Sequence, residues 1–231
     1  MNFQKKLALP YLLSTMQESA WDHAAHLGQG HRETSARGAA WVIVRQRVEM
    51  WEWPNWEEVM TLRTWLRPPS AAMVVRDFEF FLEDRQIGRA AAHWITIDEQ
   101  HRRPVRLGFP DNPNLFRQEG HPDFEPTKLT LPSELVRLEQ FQVRNTDLDL
   151  HGHVNNTRFS EWILNSLPLS MLRQHRLTEY EINFLAEANP EETVSVHGVP
   201  LASLRPGDSG YFQGRQVSDG KVLFNARLKA V

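Results

Sequence analysis

Five prolines (Pro110, Pro113, Pro122, Pro126 and Pro132) fall within residues 107–133, and they limit the possible folds more than any other feature of the chain. Proline fixes its own φ and supplies no backbone N–H, so neither a helix interior nor a central strand accommodates this stretch. A structureless loop of that length is out of place inside one compact domain. The chain is therefore read as residues 1–106, a surface linker over 107–133, and residues 134–231.

Both halves follow one plan. In the first, Leu12, Met16, Ala20, Ala24 and Leu27 recur at near-helical spacing and Gly28 stops the pattern. Four strand-like segments follow: Ala39 to Trp53, Glu58 to Leu66, Ala72 to Leu82 and Gly88 to Ile97. In the second, a strand from Val136 to Val143 leads through a polar loop into a helix, Asn156 to Asn165. A short helix over Leu169 to His175 and strands over Leu177 to Ala186, Thr193 to Leu201, Gly210 to Ser218 and Lys221 to Ala230 complete it. The fold class is α+β: two tandem units, each a long helix wrapped by a curved antiparallel sheet.

Composition excludes several functions. A net charge of −3 argues against wholesale nucleic-acid binding. Cysteine is absent, which removes disulfides, thiolate metal sites and thiol nucleophiles and suits a reducing cytoplasm. No apolar run approaches the ~18 residues of a membrane span. Lys5 and Lys6 before Leu7 to Leu13 faintly imitate a secretion signal, but Pro10 interrupts that run and Gln17-Glu18 follow it, so it is read as the entry to the first helix.

Chemistry concentrates in Asp147-Leu-Asp-Leu-His-Gly-His-Val-Asn-Asn156, which holds two acids, two imidazoles and two amides around one glycine. The cluster lies between a strand and a helix N-terminus, where unpaired N–H groups can hold developing negative charge. Asp149 and His153 flank Gly152, a residue that allows close backbone approach to a ligand. That set suits a substrate carbonyl held by N–H donors while a carboxylate and an imidazole manage a proton. Two other readings stay open. Asn155 or Asn156 can be a plain N-cap. His151 and His153 with Asp147 and Asp149 could ligate zinc, though no other histidine has matching ligand spacing.

The string DLDLHGHVNNTRFSEWIL resembles the signature of acyl-acyl-carrier-protein thioesterases of bacterial type, in which two hotdog modules are fused. AAWVIVRQRVEMWEWP, TLRTWLRP and VVRDFEFFLEDRQIGRAAAHWITIDEQHRRPVR resemble that family's N-terminal module, including Thr64-Trp65, Arg76-Asp77-Phe78, Trp94 and Arg102-Arg103-Pro104. The resemblance implies hydrolysis of the thioester between a fatty acyl chain and the 4'-phosphopantetheine arm of acyl carrier protein. It places the acyl chain in the N-terminal module and the chemistry in the C-terminal one, with no cofactor and no metal. By motif position it makes Asp149, His151, His153 and Glu187 catalytic, with Gly152, Asn155 and Asn156 around the substrate. Glu187 is the expected general base on a water, His153 the residue that positions it, and Asp149 an orienting group. Strand parity argues the other way for Glu187: Tyr180, Ile182, Phe184 and Ala186 read as the buried face, which puts Glu187 with Glu179, Glu181 and Asn183 on the other, in solvent unless a bulge or the strand end before Pro190 re-aims it.

Two departures stand out. His151 occupies a position where the family usually has asparagine, replacing two amide donors by an imidazole that changes charge near pH ~6.5. Ala188 stands where plant members carry cysteine; with no cysteine in the chain, a thiol acyl-enzyme is impossible, and water attack remains unless Glu187 or Asp149 forms an anhydride. An acidic carrier implies a basic docking patch, with Arg102, Arg103 and Arg106 as one candidate and Arg173 with Arg176 as another. Seven of the eight tryptophans lie within residues 21–94, which suits an apolar acyl groove in the first half and core packing equally. The chain is expected to act in the cytoplasm as a monomer or homodimer. An acyl-coenzyme A thioesterase on the same scaffold and a non-catalytic acyl-binding module are the rival functions.

Overall fold

A computed structural model describes residues 2–70, 73–106, 109, 115–117, 120–199 and 207–231. The expected strand start at Ala72, the strand end at Leu201, and Pro110 and Pro113 of the linker lie outside the described residues. The chain divides into two compact units. One is Tyr11–Pro126 with Lys5–Leu7; the other is Thr127–Val231 with Met1–Gln4 and Ala8–Pro10.

Helix α1 spans Leu9–His26, in the first unit from Tyr11 onward. Pro10 sits in its first turn, where a missing N–H breaks no bond. Leu9, Leu12, Leu13, Met16 and Ala20 form its buried stripe. Gly28, at φ +66°, takes the left-handed turn that ends the helical segment. A five-residue helix α2, His31–Ser35, follows; it lacks an apolar period and the sequence reading missed it. Strands β1 (Ala39–Met50), β2 (Met60–Leu66), β3 (Met73–Leu82) and β4 (Arg85–Asp98) form an antiparallel set in the order β2-β3-β4-β1. Ala90, Ala91 and Ala92 of β4 are all fully buried, so both faces of this sheet are covered.

Residues 121–125, at the far end of the first unit, pack against this sheet. Phe124 is 1% exposed, with the guanidinium groups of Arg47 and Arg89 over its ring at 4.3 and 4.2 Å. Arg67 grips the carboxylate of buried Asp77 through two nitrogens, at 2.6 and 2.7 Å. It also pairs with Glu125 and donates to the His121 carbonyl.

The second unit runs β5 (Val136–Gln142), a 3-10 turn (Asn145–Asp147), α3 (Asn156–Asn165), α4 (Leu169–Gln174), β6 (Leu177–Phe184), β7 (Thr193–Gly198), β8 (Ser209–Gln216) and β9 (Val222–Ala230). Its strands lie in the order β6-β9-β8-β7-β5. Phe159 of α3 is the hub of the core. Its ring lies 5.5 Å from Trp162, 6.1 Å from Phe184 and 4.9 Å from Phe224. Burying such a ring is worth roughly 1.5–3 kcal/mol. Gly214 on β8 is required by this packing: a Cβ there would lie 2.0 Å from the Phe224 ring.

The expectation that Glu181 and Asn183 face solvent is wrong. They are 0% and 3% exposed. Residues 127–129 run along that face of β6: Thr127 donates to Glu181 through its N–H and hydroxyl, and Leu129 N–H donates to Asn183. Asn183 donates back to the Thr127 carbonyl, and Arg227 pairs with Glu181. A buried carboxylate is tolerable only with such partners. None of the described helices is long and apolar enough to cross a membrane.

Candidate functional site

Between β5 and α3 the chain folds into a small closed loop. Leu148 and Val154 form an isolated antiparallel bridge. Inside it Asp149 N–H donates to the His153 carbonyl at 2.8 Å, and Gly152 N–H to the Asp149 carbonyl at 3.1 Å. Gly152 has φ +77° and open space where a Cβ would stand, so the position selects glycine for its conformation. Asp149 Oδ1 accepts the N–H groups of His151, at 2.8 Å, and His153, at 3.4 Å. The carboxylate thus holds the loop that carries both imidazoles.

The loop is anchored at its base. Asn155 N–H donates to the Asp147 carbonyl, and the Asp147 carboxylate accepts from Arg144 N–H. Arg158, in the first turn of α3, donates to the Thr146 carbonyl and pairs with Glu161, with Asp147 3.7 Å away. Asn155 is the N-cap of α3: its side-chain oxygen accepts from the N–H and hydroxyl of Thr157. That oxygen already serves the helix. Arg158 N–H donates to the Asn155 carbonyl, which leaves Asn156 as the first-turn residue whose N–H has no described acceptor among the described residues.

Glu187 arrives from β6. The N–H groups of Leu185 and Ala186 both donate to the Leu223 carbonyl, at 2.8 and 3.1 Å. Two residues against one is a bulge, the device that parity required. The chain then leaves the ladder, and Val154 N–H donates to the Ala188 carbonyl at 3.0 Å. This bond ties the 148–154 loop to the segment bearing Glu187. His153 Nε2 lies 3.6 Å from Glu187 Oε2, with the two side chains 32% and 42% exposed. The next side chain, Ala188, is fully buried. The structure therefore brings His153 and Glu187 together, sets Asp149 behind His153, and leaves His151 and Leu150 exposed on the rim.

Among the described residues no group of three or more histidines or carboxylates is arranged to hold a metal ion. Asp147, one of the conceivable ligands, faces Arg144 and Arg158 instead. The five candidate docking arginines are all exposed. Arg102 sits at φ +54° in a turn where its N–H donates to the Asp98 carbonyl, and the Arg173 guanidinium lies 5.9 Å from the Phe3 ring centre.

One polar group escaped the sequence reading. Arg76, in the middle of apolar β3, is 3% exposed and donates to His23 Nδ1 and Thr64 Oγ1. The signal was present as the one cation inside the run VVRDFEFF, but strand alternation does not tell a buried arginine from an exposed one.

Residues 1–109 match the acyl-ACP thioesterase N-terminal domain, and residues 132–217 match the acyl-ACP thioesterase C-terminal domain. The chain belongs to the acyl-ACP thioesterase family. An oleoyl-acyl carrier protein thioesterase of Coriandrum sativum is 26% identical over 210 residues, covering 82% of this chain and 57% of that protein. A palmitoyl-acyl carrier protein thioesterase of Gossypium hirsutum is 26% identical over 205 residues, covering 79% and 48%. The chain thus spans about half the length of these curated relatives. Among solved structures, an acyl-ACP thioesterase from Bacteroides thetaiotaomicron superimposes with a TM-score of 0.90 at 21% identity, covering 100% of this chain and 93% of that one. The 12:0-ACP thioesterase from Umbellularia californica gives 0.83 at 18%, covering 100% and 92%. The fold of this acyl-ACP thioesterase family member is accordingly α+β, with two hotdog-type modules in tandem.

Proposed function

We propose that this chain hydrolyses the thioester between a fatty acyl group and the phosphopantetheine arm of acyl carrier protein, giving a free fatty acid and the carrier thiol. The observation that carries this reading is the approach of His153 to Glu187 at 3.6 Å beside the glycine loop. The proposed module roles follow the family: the acyl chain lies in the first, residues 1–106, and the chemistry takes place in the second, residues 134–231, with 107–133 between them.

In the proposed mechanism a water is held between His153 and Glu187. Glu187 takes a proton from it as the oxygen attacks the thioester carbonyl carbon. The carbonyl oxygen gains the electron pair and is held by donors of the rim, the Asn156 N–H and the His151 ring. Collapse restores the carbonyl, breaks the carbon–sulfur bond, and returns the proton to the departing thiolate. No covalent acyl-enzyme forms. Asp149 acts through the loop by holding the His151 and His153 backbone, and Gly152 gives that loop its turn. Asn155 fixes the start of α3 and so the direction of the Asn156 N–H. A general base of this kind contributes ~10²–10⁴ in rate.

The carrier is acidic in this chemistry, and exposed Arg102, Arg103 and Arg106, or Arg173 and Arg176, offer it complementary charge. The proposed site of action is the cytoplasm. The test is release of free fatty acid from matched acyl carrier protein and acyl-coenzyme A substrates. We expect higher kcat/KM on the carrier protein, and at least about tenfold lower kcat for both Glu187→Ala and His153→Ala. Full turnover by both variants would remove the mechanism; equal or better turnover of the coenzyme A substrate would replace the carrier protein as partner.

A further inference from the structure

Glu187 stands at the start of a turn that carries the chain from the bulge on β6 to Thr193, the first residue of β7. The turn passes through Glu191 at φ +66°, a left-handed conformation that a residue with a side chain keeps only where its surroundings hold it. Glu192 supplies that hold. Its Oε2 accepts the Asn189 N–H at 2.9 Å. Its Oε1 accepts the Asn189 side-chain amide at 2.8 Å and the side-chain amide of Gln216, on β8, at 2.9 Å. One carboxylate therefore closes the turn on itself and fastens it to the strand that pairs with β7.

The backbone adds two more ties. Val143, just after β5, donates its N–H to the Glu192 carbonyl at 2.9 Å, and Val154 donates to the Ala188 carbonyl at 3.0 Å. Val143 and Val154 bracket the loop that carries Asp149, His151 and His153. Ala188 and Glu192 bracket the turn that leads away from Glu187. The two segments are thus stitched together at both ends, and each is braced by a carboxylate of its own, Asp149 in the histidine loop and Glu192 in the glutamate turn. The His153 and Glu187 side chains are about a third or more exposed, so their separation of 3.6 Å depends on the backbone that carries them.

We propose that Glu192 is a positioning residue for Glu187: its carboxylate fixes the 187–192 turn and, through it, the distance from the general base to His153. The role rests on the thioesterase reading. It depends on filled hydrogen-bond positions and not on charge. Asn189 and Gln216 reach Glu192 through side-chain amides, which can turn over and present oxygen in place of nitrogen. Glutamine at 192 can then keep all three bonds, its oxygen accepting the Asn189 N–H and its NH₂ donating to the two turned amides. Alanine keeps none.

The test is a double-substitution cycle with Glu187→Ala on an acyl carrier protein substrate. Glu192→Ala should lower kcat by on the order of tenfold, since a catalytic group displaced by less than an ångström already loses rate. KM should stay within about twofold, the pattern of a loss confined to the transition state. With Glu187 already replaced by alanine, Glu192→Ala should cost no more than about twofold further, the scatter between independent changes. Glu192→Gln should keep kcat within about twofold of the wild type. Unchanged kcat in Glu192→Ala, or a loss as large without Glu187 as with it, overturns the proposal. So does a fall in Glu192→Gln equal to that in Glu192→Ala, which would assign the effect to charge. If Glu192→Ala does not fold, Gln216→Ala takes its place in the cycle. Its expected loss is about threefold, the lower end of one hydrogen bond, and it should vanish without Glu187; no loss, or one that ignores Glu187, overturns the role. If the wild type hydrolyses no substrate, the thioesterase reading fails separately. The clamp is then judged by amide hydrogen exchange in the full chain: Glu192→Ala should speed exchange at Val143 and Val154 by on the order of tenfold while β6 keeps its rate. Unchanged exchange at both valines refutes it.

Discussion

The two modules differ in what leads into their long helices. Before α1 the chain makes only a rudiment of a strand: Lys6 bridges Asn55, Leu7 N–H donates to the Pro54 carbonyl, and the helix begins at Leu9. Before α3 there is a full strand, β5, and then a loop from Val143 to Asn155. The first connection has no room for a constellation of side chains. The second has room for Asp149, His151 and His153 and a tie to the Glu187 segment. In the first module Asp77 and Arg76 are inside, at 0% and 3% exposure, as Glu181 is in the second, whereas His153 and Glu187, beside the second module's long loop, are about a third or more exposed. The lesson is that burial separates groups that hold a fold from groups that can meet a substrate.

The largest expected effect breaks the comparison on the side of stability. Asp77→Ala strands the Arg67 guanidinium at a position where the two share a doubly bonded ion pair. Removing one partner of a buried pair costs ~3–5 kcal/mol. Arg67 keeps Glu125 and the His121 carbonyl, so the lower end, about 3 kcal/mol, is expected from the urea midpoint. A change under about 1 kcal/mol, the range of exposed pairs, would show that burial is not what distinguishes the two modules.

The mirror experiment is Asp149→Ala in the second module. Its carboxylate accepts two backbone N–H groups in an accessible loop, so stability should fall by only about 1 kcal/mol. Turnover should fall on the order of a hundredfold, the cost of letting His153 drift from its place by about an ångström. Asp149→Asn sharpens the result, because an amide oxygen accepts the same N–H groups. Near wild-type kcat in the asparagine variant supports an orienting role. A loss equal to that of alanine assigns Asp149 to proton transfer.

Much of this arrangement was legible because it is local. Helix α3 runs over the residues the sequence pattern gave, Asn156–Asn165, since Asn155 caps it and Phe159, Trp162 and Ile163 define its buried face. The strands match to within a few residues at their ends, where pairing partners rather than propensity decide. What was not legible depends on partners distant in the chain. Glu181 and Asn183 looked like a solvent face until Thr127 and Leu129, 54 residues earlier, were found bonded to them. Phe124 in a polar, proline-rich stretch gave no periodic signal, yet it is buried between two arginines. The bulge that brings Glu187 toward His153 depends on the single carbonyl of Leu223, and no local pattern announces it.

The smallest effect concerns the buried charge of the first module and its response to acid. His23 carries an ordinary histidine value of 6.5 when unfolded and is lowered to about 4 when folded, by burial first and then by Arg76 and His26. The unfolded chain therefore binds a proton at higher pH than the folded one. The contribution is fully present above about pH 6.5, declines as pH falls through the interval, and is gone below about pH 4. His93 is lowered in the same direction, chiefly by burial, so it adds to the slope and remains in a His23 variant. His23→Gln offers a neutral oxygen to Arg76 without the titration, so its thermal midpoint should fall less between pH 7 and pH 4.5 than that of the wild type, with the two closest at the neutral end. Parallel midpoint curves would mean that His23 accepts its proton in the folded chain as readily as in the unfolded one. The contrast between an interior arrangement in the first module and an accessible one in the second would then no longer extend to its histidines.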